Sequence, residues 1–230
     1  MKSIKNALEY FLIREWVLLL SSVSVIMLSF FIFGGSGYLN LVASLIGAVS
    51  LIFCAKGHPI GQVLMIIFSI LYGIISFKLS YYGEMLTYVG LTLPMAVFSL
   101  VSWIRNPYEK NSSEVKVARL KRGEWVFIIL LTVCVTVAFY FLLKRLGTAK
   151  LLPSTLSVST SFIAAYLTFR RNPFYALAYA ANDVVLIILW VLAGITDALY
   201  FSVMICFTVF LVNDIYGFIS WRKMQKRQSL

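Results

Sequence analysis

The stretch YALAYAANDVVLIILW, Tyr175–Trp190, places an amide and a carboxylate in the middle of an otherwise apolar helix. A charged or amide side chain inside a membrane is costly unless it faces protein, water or a ligand. At about 100° per residue, one helix face carries Tyr175, Tyr179, Asn182, Leu186 and Trp190, with Asp183 beside it. That face is typical of the wall of a binding site for a flat, polar molecule.

The composition indicates a polytopic membrane protein. The 230 residues are 61% hydrophobic and 13% charged, with a mean hydropathy of +0.91. The net charge of +11 is best explained by basic cytoplasmic loops, because nucleic-acid binding would need a basic face on a soluble fold. The three cysteines lie in apolar runs without metal-ligand spacing, so we expect no metal site and no cofactor.

Apolar runs predict eight membrane-spanning helices and an all-α fold. The runs are Trp16–Phe33, Leu39–Cys54, Ile60–Phe77, Met85–Ile104, Trp125–Leu143, Thr155–Phe169, Phe174–Ala193 and Tyr200–Trp221. The first run lacks a small-residue cleavage site, so it is predicted to be retained rather than removed as a signal peptide. Pro94 is expected to kink the fourth helix.

Lysine and arginine are distributed unequally between the two sides of this topology. Sixteen fall on the side of the two termini and four on the other side. By the positive-inside rule, both termini lie in the cytoplasm of a cell whose inner membrane holds the protein. Trp103 and Trp221, which end the fourth and eighth runs, are expected in the cytoplasmic interfacial belt.

Three pairs of short motifs suggest that the chain is an internal repeat. Glu15-Trp16 corresponds to Glu124-Trp125, Lys56–Pro59 to Arg170–Pro173, and Ser102-Trp103 to Ser220-Trp221. The predicted units are an N-terminal helix (1–38), a first three-helix bundle (39–104), a cytoplasmic linker (105–124), a linking helix and loop (125–150), a second three-helix bundle (151–221) and a basic tail (222–230). Such parallel repeats predict a substrate site near the midplane between the bundles.

Two stretches carry a family resemblance: YYGEMLTYVGLTLPMAVFSLVSWIRN (Tyr81–Asn106) and VNDIYGFISW (Val212–Trp221), with the Asn182-Asp183 helix between them. They resemble the PnuC family of bacterial nicotinamide riboside transporters over nearly the whole chain. The resemblance implies a fold similar to that of the SWEET sugar transporters, with an additional N-terminal helix. It also implies a homotrimer and facilitated diffusion of a dephosphorylated vitamin, which a kinase traps in the cell for NAD biosynthesis.

The chain departs from that family before its central polar residues. Family members commonly carry two tryptophans spaced three apart there, whereas this chain has Ala176 and Tyr179. Carriers of thiamine, riboflavin or a deoxynucleoside therefore remain alternatives. No lysine or arginine lies inside the predicted spans, so a phosphate dianion would find no buried cation, and a nucleotide is not expected as cargo.

The candidate substrate-binding residues are Asn182, Asp183, Tyr179, Tyr175, Trp190, Asn213, Tyr216, Gln62 and Tyr88, and Asp214 and Pro94 are candidates for a gate or a structural role. The carboxylates and aromatic rings would favour a flat cation. The amides would suit ribose hydroxyls or a carboxamide. The alternative is that the amides only bridge helices. Glu84, near the outer end of the fourth span, is expected to be a solvated rim charge.

Asp183 and Asp214 also permit an alternative interpretation, in which the protein is an enzyme. Two aspartates on separate spans are what an intramembrane aspartyl protease needs. The glycine-flanked aspartate motif of such proteases is missing around both residues. The chain also has no glycine-rich phosphate loop, so primary active transport is not expected. The sequence therefore predicts a transporter without catalytic residues, whose partners are a small molecule and the lipid bilayer.

Overall fold

The structure is a computed structural model that describes residues 11–33, 37–78, 81–109, 113–148 and 150–229. Within these ranges, eight helices are long and apolar enough to cross a membrane. They are α1 (Ile13–Ile32), α2 (Tyr38–Ala55), α3 (Ile60–Lys78), α4 (Tyr82–Ile104), α5 (Arg122–Arg145), α6 (Leu151–Phe169), α7 (Phe174–Gly194) and α8 (Phe201–Arg227). The predicted all-α fold with eight spans is confirmed. The segment between the first two apolar runs is glycine-rich, and its residues 34–36 lie outside the described residues.

Several helices extend beyond the apolar runs that predicted them. Helix α5 includes Lys144 and Arg145, and α8 continues to Arg227, six residues past Trp221. Lysine and arginine are good helix formers and can extend their charged ends towards water. Hydropathy therefore marks the part of a helix that fits the membrane, while the hydrogen-bonded helix runs further.

Helix α4 changes its winding before Pro94. A short α-helical turn, Tyr82–Met85, is followed by a π-helical segment, Leu86–Thr92, and then by the α-helix Leu93–Ile104. Proline has no N–H to give to the carbonyl four residues earlier, and its ring crowds that carbonyl. The wider π turn separates these groups, so the irregularity predicted at Pro94 takes the form of a π segment that ends two residues before it.

Six of the eight helices form two sets of three that pack against each other. Helices α2, α3 and α4 pack in order, as do α6, α7 and α8. Across the two sets, α8 packs against α2 and α4 packs against α6, while α1 lies on α2 and α8, and α5 lies on α6. With an even number of spans, the first and last described residues lie on the same side, which we term the termini side; the other is the opposite side.

Corresponding tryptophans tie the two halves together on the termini side. Trp103 Nε1 donates to the Thr168 carbonyl at 2.9 Å, and Trp221 Nε1 donates to the Cys54 carbonyl at 2.8 Å. Both rings are buried and their centroids are 5.3 Å apart. The expectation that these tryptophans lie in the interfacial belt is wrong, because each ring crosses into the other half instead of facing lipid.

The two loops named by the repeat have matching backbones. Gly57 and Arg171, at equivalent positions, both have a left-handed φ, of 66° and 55°. The linker passes over both loops, since Val115 N donates to the Gly57 carbonyl at 3.0 Å and Ala118 N to the Arg171 carbonyl at 2.9 Å. These matched contacts support the internal repeat.

An ion pair also recurs in each half. Lys56 Nζ lies 2.8 Å from Glu15 Oε2, and Arg170 pairs with Glu124. The hydrogen bond from Arg170 to Glu124 raises the pKa of the guanidinium above its usual value. Each pair joins a helix outside the two sets, α1 or α5, to the loop of the neighbouring set.

Replacing Trp103 or Trp221 with phenylalanine is expected to destabilise the protein to a similar extent in both cases. Each change removes one buried hydrogen bond from a carbonyl that keeps a backbone donor, Arg171 N at Thr168 and Gly57 N at Cys54. The expected cost is therefore that of the lost hydrogen bond alone, about 1 kcal/mol. Thermal unfolding in detergent, followed by size-exclusion chromatography, measures the loss. Trp125→Phe is the control, because no hydrogen bond from its indole is found among the described residues. Unequal losses for Trp103 and Trp221 would contradict equivalent roles.

Candidate functional site

A cavity lies between the two sets of helices, at half the length of α7. Its lining comes from six helices: Gly47, Leu51, Met65, Phe68, Tyr88, Thr92, Ser161, Tyr179, Asn182, Asp183, Phe207, Phe210 and Asp214. It contains about 410 Å³ of empty space, most of it too narrow for a water molecule. The space is therefore narrow, and aromatic side chains must move before a ligand the size of a nucleoside can fit.

Asn182 is held in place by hydroxyl groups of α6. Its Oδ1 accepts from Thr160 Oγ1 at 2.8 Å, Ser161 Oγ at 3.0 Å and Ser157 Oγ at 3.2 Å. These hydroxyls lie on one face of α6 because their positions are three and four residues apart. No hydrogen bond from Asn182 Nδ2 is found among the described residues, so the amide nitrogen is the group that this side chain can offer to a ligand.

Asp183 and Asp214 bring two carboxyl groups close to each other in the cavity wall. They lie on neighbouring helices, α7 and α8, and their side chains interact directly. Both are buried, and Asp183 Oδ2 has no hydrogen-bond partner among the described residues. Two adjacent carboxylates repel each other in a medium of low dielectric constant, so a cation beside them is stabilising.

Aromatic rings close the cavity at both ends. On the termini side, Tyr175 and Trp103 pack on Trp221 with centroids 5.0 and 5.3 Å away. These three residues form the termini-side plug. On the opposite side, Tyr81 and Tyr200 pack on Trp190 at 5.1 and 5.6 Å, and these three form the opposite plug. Each plug takes one ring from α4 or the residue before it and two rings from the second half. The structure is therefore occluded.

The structure brings together five of the predicted residues. Tyr88, Tyr179, Asn182, Asp183 and Asp214 all line the cavity. Tyr175 and Trp190 lie beyond it in the two plugs, as their separation of four helical turns on α7 requires. The predicted face of α7 therefore runs along the path from one side to the other, and only its middle lines the cavity.

Three predicted residues lie elsewhere and bridge other groups. Asn213 Nδ2 donates to Ser22 Oγ of α1 at 3.1 Å, and Tyr216 Oη donates to Glu15 Oε1, also of α1, at 3.1 Å. Gln62 Nε2 donates to Cys54 Sγ at 3.3 Å. None of the three lines the cavity, and neither does Pro94. For the amide of Asn213, the contacts favour the alternative of helix bridging.

Several lining residues have no distinct signal in the sequence. Phe68, Phe207 and Phe210 are apolar residues in apolar helices, and only the tertiary packing turns them towards the cavity. The serines and threonines of α6 are different. Ser154, Ser157 and Ser161, spaced three and four apart, form a polar stripe on an apolar helix, and this pattern could have indicated the partners of Asn182.

The expectation that Glu84 is a solvated rim charge is wrong. Its side chain is 0% exposed, and neither carboxyl oxygen has a hydrogen-bond partner among the described residues. The sequence places Glu84 near the end of a span, where water is usual, but α3, α6 and the π segment pack around the short turn that carries it.

The charge of the cavity limits the ligands that it can hold. Its lining includes two carboxyl groups, one amide, two hydroxyl-bearing residues other than tyrosine and several aromatic rings, but no lysine, arginine or histidine. Among the described residues, no group of three or more His, Cys, Asp or Glu side chains is suited to a metal ion. Carboxylates and ring faces suit a flat organic cation, and the amide and hydroxyls suit polar substituents on it.

Known proteins with the same sequence features and fold are membrane transporters. Residues 37–223 match the nicotinamide mononucleotide transporter family. The nicotinamide riboside transporter PnuC of Neisseria mucosa is 23% identical over 93% of this chain and 82% of its own length. PnuC of Haemophilus influenzae is 23% identical over 83% of this chain and 81% of its own.

A solved structure shares the fold. The crystal structure of a vitamin B3 transporter PnuC superposes with a TM-score of 0.82 and covers 95% of this chain and 94% of its own, at 23% identity. The match to the family covers most of the chain, including every residue that lines the cavity. The chain is therefore a multi-pass membrane protein of the nicotinamide mononucleotide transporter family, to which the PnuC transporters belong.

Proposed function

We propose that this protein carries nicotinamide riboside across the inner membrane by facilitated diffusion. The substrate would bind in the central cavity, near the midplane between a first bundle at residues 39–104 and a second at 151–221. The observation that carries the proposal is the pairing of Asp183 with Asp214 beside Asn182 in an aromatic cavity that has no basic residue. The PnuC proteins of Neisseria mucosa and Haemophilus influenzae are both named for transport of this riboside.

The acidic pair accounts for recognition of the nicotinamide ring. That ring carries a positive charge when it is joined to ribose, and a cation beside Asp183 and Asp214 relieves the repulsion between their carboxylates. Tyr88, Tyr179 and the phenylalanines of the cavity offer ring faces to the same cation. Thiamine also contains a cationic ring, whereas riboflavin does not. The negative charge of the acidic pair therefore favours nicotinamide riboside and thiamine over riboflavin.

Polar groups would orient the rest of the substrate. Asn182 Nδ2 can donate to a carboxamide oxygen or a ribose hydroxyl, and Ser161 and Thr92 add hydroxyl groups to the wall. Because three hydroxyls of α6 fix the Asn182 oxygen, the amide is positioned before the substrate arrives. A preorganised donor loses little entropy on binding.

The same cavity disfavours a phosphorylated substrate. A phosphate dianion would lie near two carboxyl groups with no lysine or arginine in the lining to compensate its charge. The description of the matched family names the mononucleotide, while its two PnuC relatives are named for the riboside. We infer that the riboside fits this chain and that its 5′-phosphate is excluded.

The two aromatic plugs fit a mechanism of alternating access. With the termini side in the cytoplasm, the termini-side plug would be the inner gate and the opposite plug the outer gate. Each plug joins rings from both bundles, so a small rotation of one bundle against the other can separate the rings at one end while those at the other end stay packed. Helix α5 exposes most of its apolar surface in this single chain, which leaves room for the proposed homotrimer.

The proposal is tested by calorimetry on the purified protein with nicotinamide riboside, its 5′-phosphate, thiamine and riboflavin in turn. We expect the riboside to bind and the phosphate not to. Asn182→Ala removes a positioned donor and should weaken binding about tenfold or more, since a hydrogen bond to a buried polar group contributes about 1.5 kcal/mol.

Asn213→Ala is the matched control, because it removes an amide of the same size that contacts Ser22 instead of the cavity. It should leave the affinity within about threefold of the wild type. Equal losses for the two variants would show that Asn182 acts through helix packing. Binding of the phosphate, or of thiamine or riboflavin alone, would overturn the choice of substrate.

The close contact of Asp183 with Asp214 also fits the alternative of an intramembrane aspartyl protease, which needs two carboxyl groups on separate helices. The family is one of transporters, and the proposal assigns the pair to cation binding. Incubation with apolar peptide substrates should give no cleavage that depends on Asp183.

A further inference from the structure

Glu84 lies between the opposite plug and the central cavity. Its carboxyl group interacts with the side chains of Tyr72 and Tyr88. Tyr88 lines the cavity, and the Tyr72 ring contacts both Tyr88, with centroids 4.5 Å apart, and Trp190 of the opposite plug, at 6.5 Å. Glu84 is therefore linked through two tyrosines to the cavity and to the plug that closes it.

The surroundings of Glu84 offer no charge that would compensate a carboxylate ion. The titratable groups that interact electrostatically with Glu84 are Tyr72 of α3 and Tyr88 of α4. These tyrosines interact in turn with Cys206 of α8, and Tyr88 also interacts with Asp183 and Tyr179 of α7. Helix α6 brings Ser154, a hydroxyl, against the neighbouring Gly83. No basic side chain in the described part of the chain pairs with Glu84. An ion so placed costs several kcal/mol, so this occluded conformation requires the neutral acid.

Other buried polar atoms near this end of the helices also lack partners. Within the described residues, no hydrogen bond is made by Ser76 Oγ, Thr148 Oγ1, Ser154 Oγ or the two oxygens of Glu84. Such groups are usually paired in folded proteins, and water can pair all of them. Opening of this end of the helices to water would give these groups partners.

A π-helical element begins two residues after Glu84. The π-helical segment Leu86–Thr92 joins Glu84 to the cavity residues Tyr88 and Thr92. Non-α turns inside a helix often mark hinges at functional sites. A movement of the turn Tyr82–Met85 about this segment would displace Tyr81 of the plug and Glu84 together.

We propose that Glu84 is a proton-binding site that controls the opposite plug. With a proton bound, Glu84 stays buried and the plug remains closed. When the proton leaves, the carboxylate moves into water and the plug opens. The proton is taken from and returned to the same solution, so it alters the rate of transport and not the final distribution of substrate. This inference rests on the proposed transport function and on the orientation given above.

The test measures the initial rate of nicotinamide riboside uptake into proteoliposomes at external pH values from about 5 to about 9, with the internal pH fixed and the membrane potential clamped at zero. We expect the wild-type rate to rise at least about fivefold with external pH, since the ionised fraction of one group changes up to tenfold per pH unit. The final accumulation should not change. Glu84→Gln, a permanent mimic of the protonated acid, should give a slow rate that is independent of pH, while Glu84→Asp should retain the dependence.

Calorimetry distinguishes an effect of Glu84 on the opposite plug from misfolding of the variant and from a failure of the proposed function. Glu84→Gln should bind the riboside as the wild type does, and Glu109→Gln, an exposed glutamate of the linker, should keep the wild-type pH profile. A wild-type rate that does not vary with external pH, or an unchanged profile in Glu84→Gln, would overturn the proton site while leaving the central site intact. Accumulation that follows the pH gradient would show coupled transport and also overturn it. If the wild type does not bind the riboside, the proposed function fails instead.

Discussion

Replacing both Asp183 and Asp214 with asparagine is expected to abolish the preference of the cavity for a cationic ring. The double variant keeps the size and shape of both side chains but removes their negative charge. An ion pair at the distance of direct contact contributes a few kcal/mol at an effective dielectric constant of about 20. After desolvation we expect about 2 kcal/mol of this to remain, which corresponds to about thirtyfold in affinity.

The measurement compares nicotinamide riboside with its dihydro form, whose ring is uncharged but almost identical in shape. The wild type should bind the cationic form more tightly, and the double variant should bind both equally. Asn182→Ala is the matched comparison, because it should weaken both ligands by similar factors. The cation-site assignment would be wrong if the double variant kept the wild-type ratio. Single variants should lose less, since one remaining carboxylate still attracts the cation.

The fold could be predicted almost completely from the sequence, because the features that determine it are periodic or extended. Long apolar runs must be helices in a membrane, where backbone groups have no water to bond. The π segment in α4 could not be located in this way. Pro94 signals that the helix is irregular, but the choice between a kink and a wide turn depends on the packing of α3 and α6 around it.

The centre of the candidate site could be located in the sequence because it violates the apolar pattern. Asn182 and Asp183 have no reason to lie mid-helix other than a polar environment, and both line the cavity. Asn213 violates the same pattern but points to Ser22 of α1, and helical periodicity cannot decide which neighbour a side chain meets. The position of Glu84 near a helix end predicts contact with water, yet depth along one helix carries no information on how closely the other helices surround it.

Replacing Gly61 with alanine is expected to lower the thermal stability strongly, because α2 and α3 touch at this residue. A Cβ atom there would lie 2.6 Å from Cys54 Sγ, 2.7 Å from Cys54 N and 3.0 Å from the Ser50 carbonyl oxygen. Two of these are backbone atoms, which move only if a whole helix moves. Ser50 Oγ also donates to the Gly61 carbonyl at 2.8 Å, and that bond would lengthen. Overpacking of this kind costs about 1–3 kcal/mol or more, which lowers the melting temperature by about 5 °C or more in a chain of this size.

Alanine substitutions at two other glycines show whether the loss of thermal stability is specific to Gly61 or follows from any glycine-to-alanine change. Gly123→Ala meets no atom within 4 Å and should not lower the melting temperature. At Gly47 the nearest atoms belong to the rings of Phe210 and Phe68, which can turn into the cavity that all three residues line. Gly47→Ala should therefore keep much of its stability but lose binding of nicotinamide riboside, because the displaced rings occupy the substrate space. If Gly61→Ala proved as stable as Gly123→Ala, the close contact between α2 and α3 would not exist in the membrane, and the same two helices could not fix the cavity wall as described.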